Sequence, residues 1–243
     1  MKHTLPLLAA LLLAPLAATT SLNAAVSGPE KTANPPSPPM NGMVLWLDAS
    51  DASTLSMEGQ EVREWRDRSG KGMHFAAAEK AARPQLSKTR PGGLGTIAFD
   101  GASQYFAGPA VLPEGQKAYT IIALWRPRQY GGMSVFEQAA PNEGGARGAL
   151  LASGLRYGFC GQGHDCADLV PFTPDAWRLT SMSVDVDREK TVRVSDNGKV
   201  FEGVPLNPKE LRLGVGGGAT VGRKVGVAGL SGSRNPWPGF FRM

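Results

Sequence analysis

The strongest candidate for chemistry in this chain is a short series of carboxylates. Asp185, Asp187 and Glu189 alternate within residues 184–189 (VDVDRE), and alternate residues of a β-strand face the same way. Two carboxylates about 5 Å apart would serve as nucleophile and general acid in a retaining glycoside hydrolysis. The alternative is an exposed strand end, which the sequence favours because a turn-forming Asp-Asn-Gly follows at 196–198. We therefore predict no catalytic residue.

The two cysteines of the chain form a second candidate. Cys160 and Cys166 lie in residues 159–166 (FCGQGHDC). Because the N-terminus predicts export, a disulfide between them is the default in an oxidising compartment. A metal site with His164 as third ligand is the alternative, but three ligands are too few for structural zinc. We predict the disulfide.

Four aspartates precede or occupy predicted turns: Asp48, Asp51, Asp67 and Asp100. Their carboxylates are ligands that calcium prefers. Aspartate also caps tight turns by accepting hydrogen bonds from its own backbone, and this interpretation is favoured. Calcium stays a hypothesis without assigned ligands, and we predict no cofactor.

Other catalytic signatures receive little support. Residues 214–219 (GVGGGA) are similar to a dinucleotide-binding loop, but no helical pattern follows them. His74 and His164 are the histidines beyond the N-terminal segment, and neither lies near a serine elbow motif. Most tryptophans lie in apolar strand patterns and are predicted to belong to the core rather than to a sugar platform: Trp46, Trp65, Trp125 and Trp177.

The elements that must position these residues follow an export signal. Lys2 and His3 precede an apolar run and a small-residue exit, which predicts a signal peptide over residues 1–25. Two prolines interrupt that apolar run, so no membrane span is expected. Residues 26–41 are rich in proline and read as a linker. Residues 42–243 are predicted to form one large domain.

The charge of the chain suits an exported protein. Its formal net charge is +5, with lysine and arginine scattered among acidic residues. No basic stripe with interleaved aromatic residues occurs, so nucleic acid is not predicted as a partner.

Short apolar or alternating runs between turn residues predict an all-β sandwich. The predicted strands cover residues 43–48, 61–66, 73–76, 96–99, 104–107, 118–126, 133–138, 148–153, 155–159, 177–186, 191–195, 199–202 and 211–215. Residues 49–57 and 79–83 are predicted to hold short helical turns. Asn197-Gly198 is the clearest hairpin signal, because both residues tolerate positive φ.

Two of these strands differ in pattern. Residues 119–125 (YTIIALW) are apolar on nearly both faces, which predicts a strand buried between two layers. Residues 177–186 alternate instead, with Leu179, Ser181 and Ser183 on one face and Thr180 and Met182 on the other. A central inner strand with a more solvated neighbour is expected.

Several motifs together resemble the laminin G-like modules of the concanavalin A-like lectin and glucanase superfamily. They are residues 45–51 (LWLDASD), 62–72 (VREWRDRSGKG), 97–101 (IAFDG), 119–127 and the hairpin at 193–200. The resemblance implies a jelly-roll of two curved antiparallel sheets that binds carbohydrate or protein, sometimes with calcium at a loop rim. It also implies one more strand after residues 236–241, so the module is expected to lack its last strand.

We therefore predict an exported, non-catalytic binding module for carbohydrate or protein, secreted, periplasmic or on the cell surface. Its expected partner is a glycan or an extracellular protein. A structural or accessory domain of a larger surface protein is the main alternative. A β-glucan-acting glycoside hydrolase is the third, and it depends on Asp185, Asp187 and Glu189. In glucanases of this superfamily the matching motif normally begins with glutamate, whereas this chain has Asp185.

Overall fold

The structure is a computed structural model that describes residues 40–87, 94–113, 118–129, 133–139, 147–153, 156–161, 164–201 and 218–224. All of them belong to one unit, Met40–Met243. Several predictions lie outside the described ranges. They are the signal peptide, most of the linker, the strand at 211–215 and the missing last strand. No helix in the described ranges is long and apolar enough to cross a membrane.

The described chain forms an all-β fold, as predicted. Runs of β-branched and aromatic residues suit a pleated, half-buried surface. The strands are β1 (Leu55–Glu58), β2 (Glu61–Trp65), β3 (Phe75–Ala76), β4 (Gln85–Ser87), β5 (Thr96–Ala98), β6 (Phe106–Gly108), β7 (Ala118–Trp125), β8 (Met133–Ala139), β9 (Arg147–Ser153), β10 (Arg156–Gly161), β11 (His164–Pro171), β12 (Arg178–Asp185), β13 (Thr191–Asp196), β14 (Lys199–Phe201) and β15 (Ala219–Lys224).

Most predicted strands within the described ranges are confirmed, but β1, β4, β11 and β15 are not among the predicted strands. The segment 43–48 forms only an isolated bridge between Leu47 and Asp67. Of the helical turns predicted at 49–57 and 79–83, only short 3-10 turns at Ala52–Thr54 and Lys80–Ala82 are present, and residues 55–57 belong to strand β1 instead. The Asn197-Gly198 hairpin is confirmed, since φ is 48° at Asn197 and 83° at Gly198 and Asp196 pairs with Lys199.

The strands form two antiparallel sheets. Across the larger sheet the order is β11, β10, β9, β8, β15, β6, β3, β2, β4 and β5, with β1 paired to β2. The antiparallel strands include a curled half-barrel. The smaller sheet has the order β14, β13, β12 and β7.

Two apolar clusters form the core. The first joins the inner face of the smaller sheet, including Met182 and Val192, to Val170 and Phe172 near the end of β11. The second lies on the larger sheet around Phe75 and other apolar residues, which include Val62, Phe106 and Phe136. Ile121 of β7 packs against both clusters. The two sheets therefore pack against each other, as in a sandwich.

The prediction that β7 is buried between two layers is wrong. Its inward face carries Ile121 and Trp125, but Ile122 is 69% exposed and Leu124 is 54% exposed. β7 ends the order of the smaller sheet among the described strands, and β12 and β13 are its interior strands. The alternation predicted for β12 is confirmed, because Thr180, Met182 and Val184 are buried while Leu179 is exposed.

Candidate functional site

The Asp67 carboxylate connects two of the motifs that carry the family resemblance by hydrogen bonds. Its Oδ1 accepts hydrogen bonds from the backbone N–H of Trp46 at 2.9 Å and of Ser69 at 2.8 Å. Its Oδ2 accepts from the Ser69 hydroxyl at 2.7 Å and from the Met73 N–H at 3.2 Å. Burial opposes ionisation of Asp67, but these hydrogen bonds outweigh it and lower the pKa. The carboxylate is thus a structural clamp.

Asp48 and Asp51 face a guanidinium. Arg68 Nη1 lies 2.8 Å from Asp48 Oδ2 and 3.4 Å from Asp51 Oδ2, and Arg68 stacks on Trp46 with 4.2 Å from Cζ to the ring centroid. Hydrogen bonds from the hydroxyl and N–H of Ser53, together with the charge of Arg68, lower the pKa of Asp51. Arg68 thus supplies the positive charge that a bound cation would bring to these carboxylates.

Asp100 closes a turn. Its Oδ1 accepts from the N–H groups of Ala102, Ser103 and Gln104, and its Oδ2 accepts from the Ser103 hydroxyl at 2.9 Å. Burial opposes ionisation, but these bonds outweigh it and lower the pKa of Asp100 to about 2. Asp48 Oδ1 likewise accepts hydrogen bonds from the N–H and the hydroxyl of Ser50, so the turn-capping interpretation describes all four aspartates. The described residues contain no group of three metal-ligating side chains.

The carboxylates proposed for hydrolysis do not share a strand face. β12 ends at Asp185, and residues 186–189 form the turn to β13. Asp185 is the pairing partner of Thr191, the first residue of β13. Asp185 Oδ1 accepts the Arg188 N–H at 2.9 Å, and Glu189 forms an ion pair with Arg193. Asp185, Asp187 and Glu189 therefore lack the shared strand face on which the hydrolase alternative depends.

The two cysteines lie on neighbouring strands of one hairpin. In the register of β10 and β11, Cys160 is the partner of Asp165 and Cys166 is the partner of Phe159. The two cysteines are thus offset by one position in the ladder. The disulfide between Cys160 and Cys166, and the alternative with His164, stay predictions.

One face of the smaller sheet is open to solvent, and we call it the outer face. On β7 and β12, Leu124 pairs with Leu179, Ile122 with Ser181, and Thr120 with Ser183. Leu124, Ile122 and Leu179 are 54%, 69% and 55% exposed. Further along the sheet Ser195 pairs with Val200, which is 62% exposed. These side chains form a row of aliphatic groups separated by small hydroxyl groups.

One end of the outer face is fixed by polar contacts. Arg126 lies over the Trp177 ring, with 5.3 Å from Cζ to the centroid. Asn197 Oδ1 accepts the Leu179 N–H at 2.9 Å, and its Nδ2 donates to the Trp177 carbonyl at 3.4 Å. The hairpin residue that sets the β13–β14 turn therefore also holds the start of β12. Trp177 is not in either core cluster.

Sequence reasoning missed the outer face, although a signal for it was present. A strand with apolar residues on both faces suits burial between layers and equally an edge strand with a binding surface. Leu179, on the adjacent alternating strand, lies on the same face as Leu124. It was the residue that could have distinguished these two interpretations.

Comparison of the chain with protein-family models, with curated proteins and with solved structures found no match. The family resemblance therefore depends on the motifs alone.

Proposed function

We propose that this chain is an exported, non-catalytic binding module with a laminin G-like jelly-roll fold. In this proposal the outer face of the smaller sheet binds an aliphatic-rich segment of an extracellular protein. The turn position of Asp185, Asp187 and Glu189 supports a non-catalytic role. The exposed aliphatic row is the observation that carries the binding role.

The chemistry of the outer face favours a protein ligand. Four aliphatic side chains are each more than half exposed: Ile122, Leu124, Leu179 and Val200. Burying aliphatic groups against other apolar groups lowers the free energy, because it removes their surface from water. The hydroxyl groups of Thr120 and Ser183 lie 3.0 Å apart and share one hydrogen bond. Clustered exposed apolar side chains, unlike scattered ones, mark interaction surfaces.

The size of the outer face favours a segment over a second domain. β7 and β12 each contain eight residues, β13 six and β14 three, so the four strands cover roughly 400 Å² at the usual rise and spacing. Interaction patches on monomers reach about 300–600 Å², whereas a stable dimer buries about 800 Å² per partner. A short segment of a partner protein therefore fits this face better than a second copy of the chain.

Selection from a random-peptide display library tests the proposal. We expect peptides rich in leucine, isoleucine and valine to bind the wild-type chain. A Leu124→Ser/Leu179→Ser variant should bind them at least about tenfold more weakly, because two buried aliphatic contacts are lost. Leu94→Ser is the matched control, since Leu94 is 50% exposed but lies outside the smaller sheet.

Two results would contradict the proposal. Selected peptides that bind the double variant as tightly as wild type would place the binding surface elsewhere. Self-association of the wild-type chain in sedimentation equilibrium, lost in the double variant, would make a second copy the occupant.

A further inference from the structure

The strands that end the order of a sheet present backbone groups without a neighbouring strand, and proteins usually shield such edges with charges, proline, bulges or short strands. Of the strands that end the two orders, β5 and β14 have three residues each. β11 has an irregular register with β10 and ends at Pro171. β7 has eight residues (AYTIIALW) with no charge and no proline, and its register with β12 is unbroken. Among these strands β7 is therefore the unshielded one.

The direction of the backbone groups on β7 follows from Leu179. Its carbonyl accepts the Asn197 N–H at 3.0 Å, and its N–H donates to the Asn197 side chain at 2.9 Å, so both groups point toward the β13–β14 turn. In an antiparallel ladder both backbone groups of a residue point the same way, and successive residues alternate. Thr180 therefore points to β7, where it pairs with Ala123.

The same alternation turns the backbone groups of Thr120, Ile122 and Leu124 away from β12. We call these groups the open edge of β7. Within the described ranges none of them has a backbone hydrogen bond. The side chains of the same three residues are exposed on the outer face. One set of residues thus offers both unpaired backbone groups and part of the aliphatic row.

A positive charge stands at one end of the open edge. Arg126 directly follows β7, and its guanidinium lies over the Trp177 ring. Among the described residues no carboxylate forms an ion pair with Arg126. An acidic side chain of a partner would therefore be attracted to this end of the edge.

We propose that the partner segment docks as an extended strand along the open edge, antiparallel to β7. This inference rests on the proposed function and specifies how the segment is held. The segment exchanges backbone hydrogen bonds with Thr120, Ile122 and Leu124, and its side chains opposite Ile122 and Leu124 extend the aliphatic row. Because the segment runs against β7, its acidic residue opposite Arg126 comes first. The recognised pattern is acidic-x-aliphatic-x-aliphatic.

A second copy of the chain matches this pattern less well. Pairing of two β7 strands would bring Ala118–Trp125 of one copy against the same strand of the other, and that strand contains no carboxylate. Arg126 would then stay without a counter-charge. The charge at this end of the open edge thus favours a different protein as the occupant.

Hydrogen exchange of the purified chain, followed by amide NMR, tests the strand pairing. The probe is the acetylated and amidated peptide DTITLTV, in which aspartate lies opposite Arg126 and isoleucine opposite Leu124. We expect saturable binding and slowed exchange at the N–H groups of Thr120, Ile122 and Leu124. Exchange at Ile121 and Ala123 should change little, because their N–H groups already face β12.

Two N-methylated peptides provide a matched pair. Methylation at the isoleucine and leucine removes the N–H groups aimed at β7 and should weaken binding at least about tenfold. Methylation at the first two threonines alters N–H groups that point away from β7 and should leave the affinity unchanged. Arg126→Gln should weaken binding about threefold, whereas Arg128→Gln, at an exposed arginine two positions further along, should not.

The outcomes separate this inference from the proposed function. Equal affinity of the two methylated peptides, or binding without slowed exchange at the open edge, would overturn the strand pairing. If that binding is still lost in Leu124→Ser/Leu179→Ser, the outer face remains the binding surface. Absence of binding by the peptide would also overturn the strand pairing, and the display selection then decides the proposed function. Exchange at the open edge that slows as the free chain is concentrated would make a second copy the occupant.

Discussion

Leu124 and Leu179 lie directly opposite each other across the β7–β12 ladder, and both side chains are more than half exposed. On the other side of the same ladder, Met182 is fully buried. The smaller sheet therefore has an apolar core face and a second apolar face in solvent. The core face accounts for folding, whereas the outer face requires a functional explanation.

Removal of the Asp67 carboxylate should destabilise the domain strongly. Asp67→Ala leaves four donors without their acceptor, and we expect a loss of about 2–3 kcal/mol in the free energy of unfolding. Asp67→Asn keeps one oxygen and should lose less. Asp51→Ala, in an exposed turn, is the control and should lose less still in urea melts. Equal losses in all three variants would show that Asp67 is not a clamp.

The stability of the domain should fall in acid because of Asp100. Its pKa in the folded chain is about 2, below the ordinary 3.8, so the unfolded chain takes up the proton first. This contribution is complete above about pH 5 and is lost as the pH falls toward 2. After allowance for solvent screening we expect about 1 kcal/mol. Urea melts between pH 5 and pH 2 should show a smaller loss for Asp100→Asn than for wild type, and parallel losses would contradict this assignment.

Gln138 should be essential for packing the segment at 111–112. Its Oε1 accepts from the N–H of Val111 at 2.7 Å and of Leu112 at 2.8 Å, and its Nε2 donates to the Leu112 carbonyl at 2.8 Å. Gln138→Met keeps the side-chain volume but leaves these buried groups without hydrogen-bond partners. We therefore expect a loss of about 3 kcal/mol in the free energy of unfolding. Gln104→Met is the control, since Gln104 makes an exposed bond to the Asp100 N–H. Similar thermal midpoints for the two variants would refute this role.

Gly222 should not tolerate a side chain. Its φ is 75°, and a Cβ there would lie 2.5 Å from the Phe99 ring. Gly222→Ala should cost about 3 kcal/mol or more, since strain and overpacking combine. Gly59 has a φ of 63° with no atom within 4 Å of a Cβ, so Gly59→Ala should cost only about 1 kcal/mol. Chemical denaturation distinguishes the two, and equal costs would show that Phe99 can move away.

Local signals in the sequence predicted local structure well. The Asn197-Gly198 hairpin was predictable because the turn depends on the φ preferences of two adjacent residues. The alternation of β12 was predictable because one of its faces is buried. The capping role of Asp100 was foreseen as an alternative to calcium, since its acceptors serve N–H groups within four residues.

Features that depend on distant residues were predicted less well. The burial of β7 depended on whether another layer covers Ile122 and Leu124, which its own sequence does not encode. Asp185, Asp187 and Glu189 do not share one strand face, because the chain turns after Asp185 and Asp185 pairs with Thr191. The segment 43–48 has a strand pattern, but its backbone is held by Asp67 from the next motif. The bulge at Arg63 in β2 depends on how β2 pairs with β1, which only the register reveals.

Solvent accessibility of the Leu124 and Leu179 methyl groups tests whether the outer face is open to a partner. A soluble gadolinium chelate broadens methyl NMR signals according to their exposure, with Leu94 as the exposed standard and fully buried Val192 as the protected one. We predict that Leu124 and Leu179 broaden like Leu94, which leaves the outer face open to a partner. Protection close to that of Val192 would show that the chain covers this face itself, and would contradict the proposed binding surface.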